Sequence, residues 1–173
     1  MRPITPWIAC VALLCAFAQA WAAPGTSSLT ATASVNTNCS VTTSAVAFNT
    51  YDPIVANVST ALNATGAVTV ACVKGTAPTI AFGLGSYATG STRRMSNGTA
   101  FLIYELYQPP STTPGTACSF PGTTVWGTGV NALSATAAPD KNPRTYYVCG
   151  TVAAGQNPSV GTYTDTVVAT VTF

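Results

Sequence analysis

The 173-residue chain contains no histidine. That removes the imidazole base from any Ser–His or Cys–His dyad and the commonest zinc ligand with it. Charge is scarce too. Four acidic residues (Asp52, Glu105, Asp140, Asp165) face six basic ones, for a net +2. A surface so nearly neutral has no field with which to steer nucleic acid or anionic lipid, so neither is expected as a partner. Four scattered carboxylates give little chance of the pair across a cleft that glycosidase chemistry needs. Asp52 before Pro53 and Asp165 after Tyr163-Thr164 read as turn or hydrogen-bonding residues. No C-x-x-C pair is present, which argues against a zinc site. Gly83-Leu84-Gly85 and Gly127-Thr128-Gly129 precede no helical pattern and are not phosphate loops. Neither a cofactor nor a small-molecule substrate is expected, and no enzymatic activity.

Helix periodicity is also missing. Thr, Ser, Ala, Val and Gly dominate, and no window shows a 3.6-residue apolar period with caps. Short apolar runs lie between Gly, Pro, Asn and Ser clusters, the pattern of an all-β sandwich or barrel. The runs are Leu29–Val35, Ser40–Phe48, Ala67–Val73, Thr79–Leu84, Phe101–Tyr107, Arg144–Ala153 and the C-terminal stretch. Val68, Val70 and Cys72 are expected to face inward, as are Ile80, Phe82 and Leu84, and Leu102, Tyr104 and Leu106. The last choice leaves Glu105 in water rather than buried and unpaired. Residues 54–65, 85–98 and 108–142 read as connections. Arg93 and Arg94 fall in the second, as a loop ion pair or solvated pair. Trp126 falls in the third, as a cover for the sandwich.

The N-terminus carries a targeting signal. Arg2 precedes an apolar run, Ile8–Ala18, and Ala18-Gln19-Ala20 and Ala20-Trp21-Ala22 both fit small-x-small cleavage sites. Eleven apolar residues are too few for a bilayer, which takes roughly twenty. Residues 1–22 are therefore read as a signal peptide, 23–37 as a separate N-terminal segment and 38–173 as one domain. Loss of Arg2 leaves the mature chain at +1. Four cysteines remain in an oxidising compartment, enough for two disulfides in three possible connectivities. Cys39–Cys72 with Cys118–Cys149 is the favoured one, each closing a loop of about thirty residues.

The terminal stretch Gly161–Phe173 alternates. Val167, Ala169, Val171 and Phe173 face one way and Thr166, Val168, Thr170 and Thr172 the other, as in a strand with one buried face. The N-terminal run alternates likewise, with Leu29, Ala31, Ala33 and Val35 on one face.

These motifs, in this order, resemble the spore coat protein U domain. The residues carrying the resemblance are N-C-S-V at 38–41, F-N-T-Y-D-P at 48–53 and G-A-V-T-V-A-C at 66–72. Arg94-Met95 with Leu102, Tyr104 and Leu106-Tyr107, then Tyr147-Val148-Cys149-Gly150, and G-T-Y-T-D-T at 161–166 complete it. The Cys118/Cys149 pair departs from the family pattern and reads as a staple on the long loop. The domain is similar to subunits of archaic (Csu-type) chaperone–usher pili. The resemblance implies an immunoglobulin-like β-sandwich lacking its last strand. It implies export to the periplasm, a periplasmic chaperone and an outer-membrane usher as partners, and polymerisation with other pilin subunits at the cell surface, supporting adhesion and biofilm formation. Leu29, Ala31, Ala33 and Val35 are then the donor strand, and Val167, Ala169, Val171 and Phe173 the acceptor groove and chaperone contact. A self-complemented surface protein of the same fold is the alternative. A lectin-like adhesin using Tyr104, Tyr107, Trp126, Tyr146 and Tyr147 as a sugar platform is a weaker one.

Overall fold

A computed structural model describes residues 27–173, so the signal-peptide reading of residues 1–22 lies outside the described residues. Among the described residues, eight strands, all after residue 38, form two sheets. They are β1 (Cys39–Ser44), β2 (Leu62–Cys72), β3 (Thr79–Phe82), β4 (Arg93–Ser96), β5 (Phe101–Tyr107), β6 (Leu133–Ser134), β7 (Arg144–Val152) and β8 (Ala169–Thr172). The larger sheet has the order β1-β2-β7-β5-β4 and the smaller β6-β3-β8, with every pairing antiparallel. The fold is an all-β sandwich.

Alternation in β2, β5 and β7 places the core. Val68, Val70, Cys72, Leu102, Tyr104, Leu106, Tyr146, Val148 and Val152 point inward, with Ile80, Phe82 and Leu133 from the small sheet against them. Residues 27–38 are exposed and form no strand, and Leu29 and Val35 keep 95% and 81% of their surface in solvent.

Several expectations need correction. Arg93 belongs to a strand, not a loop, and is fully buried. Its Nη1 pairs with Glu105 Oε1, so Glu105 is half-buried in an ion pair rather than simply solvated. The other guanidinium donors reach Gly83 O (2.8 Å), Trp126 O (2.7 Å) and Phe82 O (3.3 Å). One cation thereby satisfies three carbonyls where the two sheets meet, which lets it sit in an apolar core. Leu84 lies past the end of β3 and is exposed. β2 begins at Leu62, inside the expected connection.

The stretch 108–142 is also better built than expected. Trp126 N–H donates to Leu106 O (2.8 Å), and Gly127 O accepts from Phe82 N–H (3.2 Å). The chain thus crosses from β5 to β3 and closes that side of the sandwich. The Trp126 ring is fully buried, edge-on to Phe82, with its indole N–H donating to Ile80 O at 2.8 Å. It is part of the core rather than a lid. Disulfides join Cys39 to Cys72 and Cys118 to Cys149. The first fixes β1 to β2 and the second ties the long connection to β7.

Candidate functional site: an open groove in the smaller layer

β1 was expected to run to Phe48, but it leaves the large sheet after Ser44. The reason lies in two glycines beneath it. A Cβ on Gly66 would meet Val46 Cγ2 at 2.7 Å and Ser44 O at 2.8 Å, and one on Gly150 would collide with Val46 and Phe48. With no side chains there, residues 45–48 cross the inner face of the large sheet. Phe48 reaches Tyr104, edge-on, with ring centroids 6.1 Å apart.

The other wall is the approach to β8. Ser96 and Thr164 exchange both backbone hydrogen bonds (2.9 and 3.0 Å), tying this approach to the large sheet. Gly83 N–H then bonds Val168 O (2.9 Å), and Ala169–Thr172 pairs with β3. β8 is an edge strand of the small sheet, and β1 an edge strand of the large one.

Between residues 43–48 and 163–167 lies a groove of about 460 Å³. Phe82, Met95, Tyr104, Leu106 and Val148 line it from the core side. Tyr163, Val167, Ala169 and Val171 on one side, and Val46 and Phe48 on the other, are packed on the core yet only half-buried. Val41 is on the same face as buried Val70 but remains 45% exposed.

One polar device holds the wall. Tyr104 Oη–H donates to Asp165 Oδ2 at 2.6 Å, while Asp165 Oδ1 accepts the N–H groups of Ser86 and Thr166, both at 2.8 Å. Gly85, at φ 93°, is required here because a Cβ would fall on the Asp165 carboxyl. Burial, and next the bond to Asp165, push the Tyr104 hydroxyl pKa well up, so it stays a donor at any physiological pH.

Of the four groove residues read from the sequence, Val167 lines the cavity, and Ala169 and Val171 continue its half-buried face. Phe173 is 50% exposed at the chain end. Val46, Phe48, Met95 and Tyr163 were missed. The alternation of residues 167–171 extends back through Asp165 to Tyr163 and could have found the last. The proposed sugar platform is dismantled, since Tyr104, Trp126 and Tyr146 are all core side chains. Among the described residues no cluster of three or more His, Cys, Asp or Glu forms a metal site.

The Spore Coat Protein U domain model matches residues 25–170. The chain belongs to this family. It is 36% identical to Protein U of Myxococcus xanthus over 186 residues, spanning 96% of this chain and 94% of that protein. The fold matches a chain in the crystal structure of the CsuC-CsuE chaperone-tip adhesion subunit pre-assembly complex from the archaic chaperone-usher Csu pili of Acinetobacter baumannii. That match has a TM-score of 0.56 at 22% identity, covering 80% of this chain and 40% of the other. The present chain therefore corresponds to less than half of that one. The architecture expected from the resemblance, an all-β sandwich like those of these pili, is what the family and the fold comparison show.

Proposed function

We propose that the protein is a structural subunit of a chaperone–usher surface pilus, exported to the periplasm and polymerised by donor-strand exchange. The observation that carries this reading is the groove itself. Its floor is finished core, its two walls are half-buried, and one wall leads into an edge strand with apolar residues still facing inward. Strand addition to such an edge satisfies main-chain donors and acceptors and covers alternate side chains together. A periplasmic chaperone would lend a strand first, an outer-membrane usher would pass the subunit outward, and a neighbour's residues Leu29–Val35 would replace the lent strand. Adhesion and biofilm support follow from the fibre.

Leu29 and Val35 would contribute roughly 1.5–3 kcal/mol each on burial, with less from Ala31 and Ala33. Six to eight ladder hydrogen bonds at about 0.5–1.5 kcal/mol each matter at least as much. Small side chains suit a segment that must exchange with a lent strand.

The test is deletion of residues 23–37. The truncated domain is expected to bind a chaperone, or a synthetic peptide of residues 27–37, and to form no polymer. Unfolding of the truncated domain, with the intact chain a stable monomer lacking any chaperone, would overturn the reading in favour of self-complementation.

A further inference from the structure

The sandwich has two unlike ends. At one lie Cys39–Cys72, Arg144 and Thr172 at the end of β8, brought together by strand register and by the Arg144 Nη1–Thr136 O and Ala138 N–Thr76 O bonds. It carries the exposed polar and charged residues Lys74, Asp140, Lys141 and Asn142, with Phe173, next to Thr172, 50% exposed. The chain enters the domain here, at Cys39.

At the opposite end three loops are tied to one another and to β5. Tyr51 Oη–H donates to Ala153 O (3.0 Å), Gly155 N–H to Asn57 O (2.8 Å) and Gln156 Nε2 to Ile103 O (2.8 Å). Asn97 Nδ2 reaches Ser159 Oγ at 3.3 Å. This held surface exposes several large apolar side chains among polar ones such as Ser59, Thr60, Thr99 and Asn157. Ile54, Val55 and Val58 are 78%, 76% and 52% exposed, Phe101 and Ile103 46% and 44%, and Val160 fully. Large exposed apolar patches on small domains mark interaction surfaces.

We infer that this apolar end is covered by the polar, chain-entry end of a second copy of the protein. The inference rests on the donor-strand reading and adds to it where successive domains touch. Only Asn36–Asn38 separate Val35 from Cys39, so their Cα atoms can lie at most about 14 Å apart. A domain whose segment fills a neighbour's groove must therefore press its entry end against whichever end of the neighbour the segment leaves. Leaving at the neighbour's own entry end would set like polar surfaces together and favour a closed pair. It would also keep the apolar end in water. Leaving at the apolar end covers it, and this heterologous contact repeats without closing, as a fibre requires.

A photo-reactive phenylalanine analogue at Ile54 in the full-length protein tests this. In the assembled polymer, cross-links to residues 72–76 or 138–142 of the next copy are expected. An SDS-resistant ladder with cross-links elsewhere, or with none, overturns the contact and leaves the pilus reading standing. Absence of both the ladder and binding of the 27–37 peptide overturns both. As a second readout, Val55→Asp with Val58→Asp should leave the monomer's thermal midpoint unchanged while subunits leave the polymer about tenfold faster. An unchanged dissociation rate counts against the contact.

Discussion

The two sides of the smaller layer meet the same problem differently. On the β6–β3 side the chain crosses between sheets through Trp126 and Gly127, and the large inward side chains there are sealed: Trp126, Arg93, Ile80 and Leu133 are at most 1% exposed. On the β8 side residues 45–48 and 163–167 stand apart, and Val46, Phe48, Tyr163 and Val167 are half-buried over a finished floor. Both sides use β-branched and aromatic residues in similar alternation. What differs is whether a segment of the domain lies across them. The sealed side supplies stability without help, and the open side leaves apolar surface whose burial is a matter of binding.

The strongest way to break this contrast is at Arg93. Arg93→Met leaves Glu105 without its partner and strips the Gly83 and Trp126 carbonyls of donors in a buried setting. Removing one member of such a pair typically costs about 3–5 kcal/mol. A urea-unfolding midpoint that barely moves would show the sealed side to be looser than its geometry indicates.

The disulfides sharpen the contrast, because their loops are alike, with sequence separations of 33 and 31 residues. Replacing either pair with serines should cost about 3–4 kcal/mol on the chain-entropy model. Their effects on binding should part. Cys39–Cys72 anchors β1, which leads straight into the groove wall at 45–48, so its loss should weaken binding of the 27–37 peptide. Loss of Cys118–Cys149 should not. Equal peptide affinities by calorimetry would contradict the assignment of 43–48 as a wall.

Much of the sealed side was hidden in the sequence, and the reasons are physical. Strong alternation revealed β2, β5 and β7 and their inward residues, because period two is written in side-chain type. Arg93 was misplaced because a charged residue beside Gly- and Ser-rich chain reads as loop. Its burial depends on Glu105 and on carbonyls from two other segments, 82–83 and 126, and such convergence has no local signature. Trp126 sits in a Pro/Gly/Thr-rich run whose pairing with Leu106 and Phe82 is wholly long-range. The open side was half legible. Its terminal alternation pointed to Val167, Ala169 and Val171, whereas Val46 and Phe48 depend on the bare shelf left by Gly66 and Gly150, on the next strand and the one beyond it.

A smaller effect on folding, yet a large one on binding, is expected at Val167. Val167→Asp puts a carboxylate on a half-buried wall that still reaches water, so the isolated domain should lose no more than about 1 kcal/mol. The same charge becomes desolvated beneath an added strand, and peptide affinity should fall at least about tenfold, or about 1.4 kcal/mol. The matched change on the sealed side, Ile80→Asp, should abolish folding. If Val167→Asp also unfolded the domain, the groove would have to be counted as closed core.

The smallest effect concerns acid, and it lies away from both sides of the layer. The N–H groups of Ile54 and Val55 donate to Asp52 Oδ1 at 2.8 and 3.1 Å, and these bonds hold the exposed Asp52 carboxyl below its usual pKa of 3.8. A carboxyl whose folded pKa is depressed adds stability above its unfolded pKa and loses it as pH falls through the folded value. Between neutrality and pH 5 the turn should therefore be unchanged. Below about pH 3.8 the Ile54 and Val55 amides should lose protection from hydrogen exchange, while the amides of β2 and β7 keep theirs. Asp52→Asn should remove most of that acid dependence without disturbing the groove, since an amide oxygen still accepts but does not titrate there. If the acid dependence persisted in Asp52→Asn, the loop carrying the apolar residues 54–58 would be held by something other than this carboxylate. The rigid presentation of that end to a neighbouring copy would then need another support.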